Sequence, residues 1–208
     1  MRLILIGTEY VGKTTLANAL QAWGLNVGKK FHMDDGDFTI PDYHHLNEED
    51  QQTMWNMSPV LKERFQRMVI YYHLEILERY NDCIFGGFHI EEKIFGPRYY
   101  HPGSEVSYHR WLEHKMPDNS ILVHMTCDPD VIRQRMVDDP HPYELVKSHE
   151  IEEIMEEFLY EYNNSYFRQK VEFDTTHLTP EGILEPFLEA VRPQVDARDL
   201  IFLDSLKK

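Results

Sequence analysis

Apolar residues gather in five short runs along this chain, and between the runs they recur every three or four positions. Short unbroken runs bounded by turn residues suit strands buried on both faces, and a three-to-four spacing suits helices with one buried side. The runs predict strands over 2–6, 26–33, 82–88, 120–126 and 171–174. Helices are predicted from Leu16 onward, over most of 46–80 with a break at Ser58-Pro59, and over 105–115. Others are a short segment opened by Asp128-Pro129-Asp130, one over about 151–166, and one from a cap at Thr179-Pro180-Glu181 to about 191. Asn47 and Ser58 are cap candidates, and Pro59 suits a first helical position. In the long helix the spacing of Leu61, Phe65, Met68, Tyr72 and Ile76 predicts the core-facing stripe, with Arg64, Arg67 and Tyr71 on other faces. Ile151, Ile154, Met155, Phe158, Leu159, Tyr162 and Tyr166 form a second stripe opposite a Glu-rich face. The tail from Arg192 is expected to pack loosely. Strands alternating with helices predict an α/β fold, a five-stranded parallel sheet with helices on both faces and right-handed crossovers.

Candidate chemistry begins where the first strand ends. Gly7-Thr8-Glu9-Tyr10-Val11-Gly12-Lys13-Thr14-Thr15 follows that strand and opens the first helix, the context a phosphate-binding P-loop needs. Gly7 and Gly12 let the backbone turn where a side chain would clash. The N–H groups of 7–15 and the positive helix end then face an anion. Lys13 would reach the β- and γ-phosphates, the Thr14 hydroxyl would ligate Mg²⁺, and Thr15 would extend the phosphate contacts. In an open parallel sheet ligands bind at the carboxyl ends of the strands. That edge also receives Asp34, Asp35 and Asp37, the polar and aromatic segment 88–98, and Thr126 to Asp128. Asp34 or Asp35 is a second metal-ligand candidate.

Composition narrows the partners. The chain has 208 residues, enough for one domain, and 42% are apolar, enough for a core. A net charge of −15 argues against a nucleic-acid polymer and against a polybasic membrane anchor. The two cysteines, Cys83 and Cys127, sit in or beside predicted strands and read as buried free thiols. Twelve histidines include no H-E-x-x-H pair, and His44-His45 and His141 fall in loops. The chain opens on a strand rather than a signal peptide, and no apolar run approaches ~18 residues. A reducing, cytoplasmic setting is expected.

The chain resembles a nucleoside monophosphate kinase, nearest to the thymidylate kinase-like branch of P-loop kinases. The P-loop carries the resemblance first. Asp82 to Gly96 looks like that family's third strand and following helix, and the spacing of His89, Glu92 and Gly96-Pro97 is similar to a subgroup pattern H-x-x-E-x-V-Y-G-P. Asp128-Pro129 through Arg133 and Arg135 resembles the segment leading into the lid, and Phe173 to Pro180 the adenine-side loop. The resemblance implies ATP and Mg²⁺ on Gly7 to Thr15, Arg135 against adenine with Thr176 beside it, Arg133 as a phosphate clamp, and a short lid at about 137–147. It implies one kinase domain over 1–192 with a tail at 193–208, and a homodimer as a recurrent assembly. The acceptor, a nucleoside monophosphate, would sit over Asp34, Asp37, Phe65, Tyr72, His89, Glu92 and Arg98.

One departure matters. The family's Asp-Arg pair at the end of the third strand, a carboxylate near the metal and a cation on the phosphates, is Gly86-Gly87 here. Asp34, Asp35, Glu91 and Glu92 are candidate replacements for the acid, with Asp35 as a catalytic base. Arg98, Arg133 and Lys147 are candidates for the cation. Phe31 to Asp35 is also similar to a segment of uridine kinase-like enzymes, whose Asp activates a hydroxyl. Two alternatives therefore stay open: a kinase for a nucleoside or other small-molecule hydroxyl, and a nucleotide-binding switch without transferase activity. No N-K-x-D motif for guanine is present.

Overall fold

The first strand is buried at all five of its positions because it lies at the centre of a sheet. The structure, a computed structural model, describes residues 1–34 and 46–207. Its five strands are β1 (Arg2–Ile6), β2 (His32–Asp34), β3 (Cys83–Gly86), β4 (Ser120–Thr126) and β5 (Gln169–Asp174). They pair in the order β2-β3-β1-β4-β5, and every pairing is parallel. β1 is flanked by β3 through Arg2–Cys83 to Leu5–Gly86, and by β4 through Arg2–Ser120 to Ile6–His124. A strand so placed can expose no face, which is why Leu3 to Ile6 carry no alternation. Arg2 is tolerated there because its guanidinium donates to the Leu77 carbonyl at 2.8 Å and to the side chains of Asn119 and Asn81 at 2.7 Å each.

The helices are α1 (Lys13–Asn26), α2 (Glu48–Trp55), α3 (Pro59–Arg79), α4 (His89–Phe95), α5 (His109–Glu113), α6 (Pro129–Asp138), α7 (Ile151–Asn164), α8 (Leu184–Val191) and α9 (Ala197–Ser205). Chain reversals fall where the sequence signals them. Asn47 caps α2 by accepting from the Asp50 N–H, Pro59 opens α3, and Asp128 caps α6 by accepting from the Asp130 N–H. One contiguous core joins both faces of the sheet, from Leu16 and Leu20 of α1 to Phe158 of α7 and Phe187 of α8.

Three expectations are corrected. The long helix buries Lys62, Gln66, Ile70, His73, Leu74, Ile76 and Leu77; of the predicted stripe Ile76 is buried as expected, while the rest of the buried face is turned by about one residue, or 100°, from it. Leu61, Met68 and Tyr72 are exposed at 48%, 60% and 53%. The polar members of the true stripe are provided for: Lys62 donates to the Trp55 carbonyl at 2.8 Å and lies over its ring, and His73 packs on Phe85 and Phe88. α8 starts at Leu184, after a turn in which the Thr179 hydroxyl accepts from the Gly182 N–H, so Thr179 closes a turn and not the helix. The tail does not pack loosely over 197–205: α9 buries Leu203 and Asp199, and Asp199 pairs with Lys29 and the Met1 amino group. Two further differences are in length. The helix predicted over 105–115 is one turn of five residues, and residues 27–31 precede β2 without joining it.

Candidate functional site

β1 ends at Ile6, and the backbone must then turn into α1 against the end of β4. Gly7 has φ +145°, and a Cβ there would stand 2.4 Å from the Met125 carbonyl oxygen of β4, so no side chain fits. Gly12 has φ +93° and stands at the N-cap of α1 with no side chain capping it. Tyr10 also holds a left-handed φ of +63°. With no acidic residue in its first turn, α1 presents uncapped N–H groups and its positive end into the loop. The Lys13 ammonium folds back into the same loop and donates to the Gly7 carbonyl at 2.5 Å and the Thr8 carbonyl at 3.1 Å. Thr14 is exposed in the first turn, and Thr15 is half-buried beside it. Thr8 is buried and its hydroxyl has no hydrogen-bond partner among the described residues. Val11 is packed in the core. A cradle of backbone donors with an ammonium inside it is chemically suited to a polyphosphate, and an exposed threonine hydroxyl at its foot suits Mg²⁺.

The loop is held by its neighbours. The Glu9 carboxylate reaches the segment after α6 and accepts the N–H groups of Leu145 and Val146 at 3.2 and 2.9 Å. Burial raises Glu9 to about 7, and those two N–H donors and Lys13 only partly oppose the shift. The Tyr10 hydroxyl accepts from the His141 N–H at 2.9 Å, and the two rings meet edge-on at 4.9 Å. The stretch around 141–146 is therefore tied to the P-loop through two of the loop's own side chains. On the β5 side, Arg135 donates to the Tyr10 carbonyl at 2.8 Å and the Thr175 carbonyl at 2.9 Å. The Thr175 hydroxyl lies 2.8 Å from the Val11 carbonyl and 3.1 Å from that of Thr126. Arg135 thus borders the loop. Thr176 is engaged in joining strand ends, accepting from the Asp128 N–H at 2.9 Å and donating to Asp174 at 2.5 Å.

On the β3 side, Gly87 (φ +84°) and Phe88 (φ +134°) turn the chain sharply into α4. Glu91, in the first turn of α4, lies back over Gly87 and stands 3.1 Å from the Lys13 ammonium. His89 and Glu92 do not line an open surface. His89 is fully buried against Glu113 at 3.1 Å, and Glu92 is buried against His101 at 2.7 Å. Burial pushes the His89 imidazolium down and the Glu92 carboxyl up, each against the pull of its partner. Both pairs brace α4 from behind.

The remaining sequence candidates scatter. Arg98 is held by Glu150, Glu153 and Glu157 on and beside α7, at 3.7 and 3.0 Å for the first two. Arg133 is held by Asp130 at 2.9 Å and Glu152 at 2.5 Å, and Lys147 by Glu144. Neither arginine is free to clamp a phosphate as it stands. Tyr72 is exposed on α3 and Phe65 is half-buried. Asp34 is the last residue of β2, while Asp35, the candidate base, and Asp37, an acceptor-site candidate, lie outside the described residues. Sequence reasoning missed Thr175 and the Glu9 tether. Nothing in the spacing distinguished Thr175 from Thr176, and a carboxylate inside a phosphate loop gave no hint that it faces away from phosphate.

No family model matches the chain, and no curated protein matches it in sequence. Solved structures do match it in fold. The YorR protein from Bacillus subtilis, in complex with phosphorylated GDP, superposes with a TM-score of 0.60 at 18% identity, covering 100% of this chain and 97% of its own. Deoxyadenosine kinase from M. mycoides with bound dATP gives 0.58 at 14%, covering 91% and 98%. Thymidylate kinase from Candida albicans gives 0.57 at 17%, covering 90% and 89%. The chain shares with these solved structures its fold, an open five-stranded parallel sheet flanked by helices.

Proposed function

We propose that this chain transfers the γ-phosphate of Mg·ATP to a small nucleotide-class acceptor, a nucleoside monophosphate or a nucleoside. One observation carries the proposal. At the carboxyl end of the central strand, an uncapped helix start with Gly12 in the left-handed region encloses the Lys13 ammonium. Phosphoryl transfer asks little covalent help of a protein and much alignment and charge neutralisation. The Gly7 to Thr15 backbone would align the triphosphate, and Lys13 would neutralise the transferring group. Mg²⁺ bound at the Thr14 hydroxyl would supply further neutralisation. Arg135, fixed between Tyr10 and Thr175, borders the base side. The segment tied to Glu9 and Tyr10 would limit water at the transfer point. Fold neighbours described as thymidylate kinase and deoxyadenosine kinase support both acceptor classes. The buried cysteines suit a reducing cytoplasm.

The test is ADP release from Mg·ATP with and without a panel of nucleosides and nucleoside monophosphates. Acceptor-stimulated release is expected, with loss of nearly all turnover in Lys13→Ala. A Lys13→Ala variant with full activity would reject the site. The Lys13–Glu91 ion pair favours one competitor, a nucleotide-binding switch whose lysine is already engaged. Tight Mg·ATP binding in calorimetry with no acceptor effect would establish that reading instead.

A further inference from the structure

α3 buries one side against the body of the protein and leaves an ordered ridge on the other. Leu61, Arg64, Met68, Tyr71, Glu75 and Glu78 are all exposed, at spacings of three, four, three, four and three. At 100° per residue they form one line on the side away from Gln66, Ile70 and His73. That spacing is the a/d repeat of a helix that packs lengthwise on another helix. The element carrying it has 21 residues, so it is about 30 Å long. Tyr71, near the middle, is held in place: its ring lies 6.3 Å from that of Tyr108 and 6.2 Å from that of Trp111. Met68 beside it is 60% exposed. Single exposed apolar residues are ordinary, but methionine and fixed aromatics aligned on one ridge have the composition of an interface core.

The charges on the ridge say what covers it. Arg64 stands in its amino-terminal half, Glu75 and Glu78 in its carboxyl-terminal half. Arg67 is paired with Glu63 off the ridge, whereas Arg64, Glu75 and Glu78 have no partner among the described residues. We propose that α3 is the two-fold interface of a dimer of this chain, packed antiparallel on the same helix of a second copy about an axis between Val69 and Ile70. In that register Arg64 meets Glu75 of the second copy and Met68 meets Tyr71, and symmetry makes each contact twice. An apolar centre is then flanked by opposite charges at both ends, with Glu78 at the rim over Leu61 and its carboxylate in water. A parallel pairing would instead set Arg64 on Arg64 and Glu75 on Glu75, which costs free energy. The net charge of −15 restricts the choice of face, because two copies repel in most approaches. On α7 the exposed Leu159 and Tyr160 stand among Glu152, Glu153 and Glu156, so a second copy there meets its own sign. The α3 ridge carries an unpaired cation together with the carboxylates that answer it. Nothing in this pairing depends on phosphoryl transfer.

Sedimentation equilibrium at micromolar concentrations decides it, run on wild type, Arg64→Glu, Glu75→Arg, the double exchange of both, and Met68→Glu, with circular dichroism of each as the check on folding. Wild type is expected to be a dimer. Each single exchange sets two like-charge contacts where two opposite pairs stood and should raise the dimer dissociation constant about tenfold or more. The double exchange restores opposite charges in the same register and should recover the dimer. Met68→Glu brings two unpaired carboxylates to the axis and should leave monomer alone. All three positions are exposed, so lost association with an intact circular dichroism spectrum isolates the interface. A monomeric wild type overturns the proposal and leaves the ridge to a different protein. A dimer unmoved by Met68→Glu and by both single exchanges overturns it by putting the contact on another face. Failure of the double exchange to recover what the single exchanges lose overturns the antiparallel register and the proposal with it.

Discussion

Glu9 is a carboxylate inside the loop proposed to hold phosphate, and the fold turns it onto two N–H groups. Its proton affinity is raised to about 7 because burial outweighs those bonds. The sign of the linkage follows. Between about 4.5 and about 7 the folded chain holds a proton on Glu9 that the unfolded chain releases, so stability from this group falls as pH rises through that window. Glu9→Gln, which keeps an acceptor oxygen and cannot ionise, should gain melting temperature relative to wild type as pH climbs from 4.5 to 7. Parallel melting curves across that range would contradict the assignment. Gly87 makes the second residue-scale prediction. Alanine there meets a left-handed φ, worth about 1–2 kcal/mol, and displaces Glu91 from Lys13. For a chain this long, about 2–4 °C of melting temperature is lost per kcal/mol. A fall of that order is expected in thermal melts.

Elements were legible where one physical effect dominated. Central strands read true because burial on both faces leaves an unbroken apolar run, as in Leu3 to Ile6 and Ile121 to Val123. Helix starts at Pro59 and Asp128 read true because caps are local chemistry. The α3 stripe misread because polar Lys62, Gln66 and His73 are buried, Lys62 against Trp55 of α2 and His73 against Phe85 of β3, and sequence spacing counts apolar residues only. The site shows the same division. Gly7 to Thr15 is contiguous and therefore visible. The seam that fixes it joins residues more than 120 positions apart, Arg135 and Thr175 to Tyr10 and Val11. That seam carries a prediction. Thr175→Val keeps the shape and removes the hydroxyl shared by the Val11 and Thr126 carbonyls. Leaving a buried acceptor unmet costs about 1–3 kcal/mol, and melts should fall by about 2–4 °C for each. Substitution of the exposed Tyr160 on α7, away from the seam, should leave them unchanged.

At the scale of the molecule, the two ends of the chain meet beneath the sheet, opposite the phosphate loop. Asp199 of α9 is 2% exposed and accepts from Lys29 at 2.7 Å and from the Met1 amino group at 2.8 Å. Asp82, just before β3, pairs with the same two cations at 2.7 and 2.5 Å, and Arg198 reaches both carboxylates. Phe202 closes the cluster, edge-on to Trp23 and under the Lys29 ammonium. Burial alone would raise Asp199, but the bonds from Lys29 and the amino terminus outweigh it and hold the carboxyl below its ordinary 3.8. A depressed carboxyl contributes stability above that ordinary value and loses it as pH falls through the folded value. Asp199→Asn should therefore destabilise at neutral pH. Breaking one partner of a buried pair costs about 3–5 kcal/mol, and the lower end is expected because Asp82 still answers both cations. The deficit should narrow below pH 3.8, where wild type loses the same interaction. Truncation after Val191 removes Asp199 and Phe202 together and should cost at least as much in the same melts. Unchanged melting in both variants would mean that the tail is an ornament on the kinase fold. A loss in both would make α9 a clasp that fixes α1 and β3 from behind, and with them the P-loop and the turn that delivers Glu91.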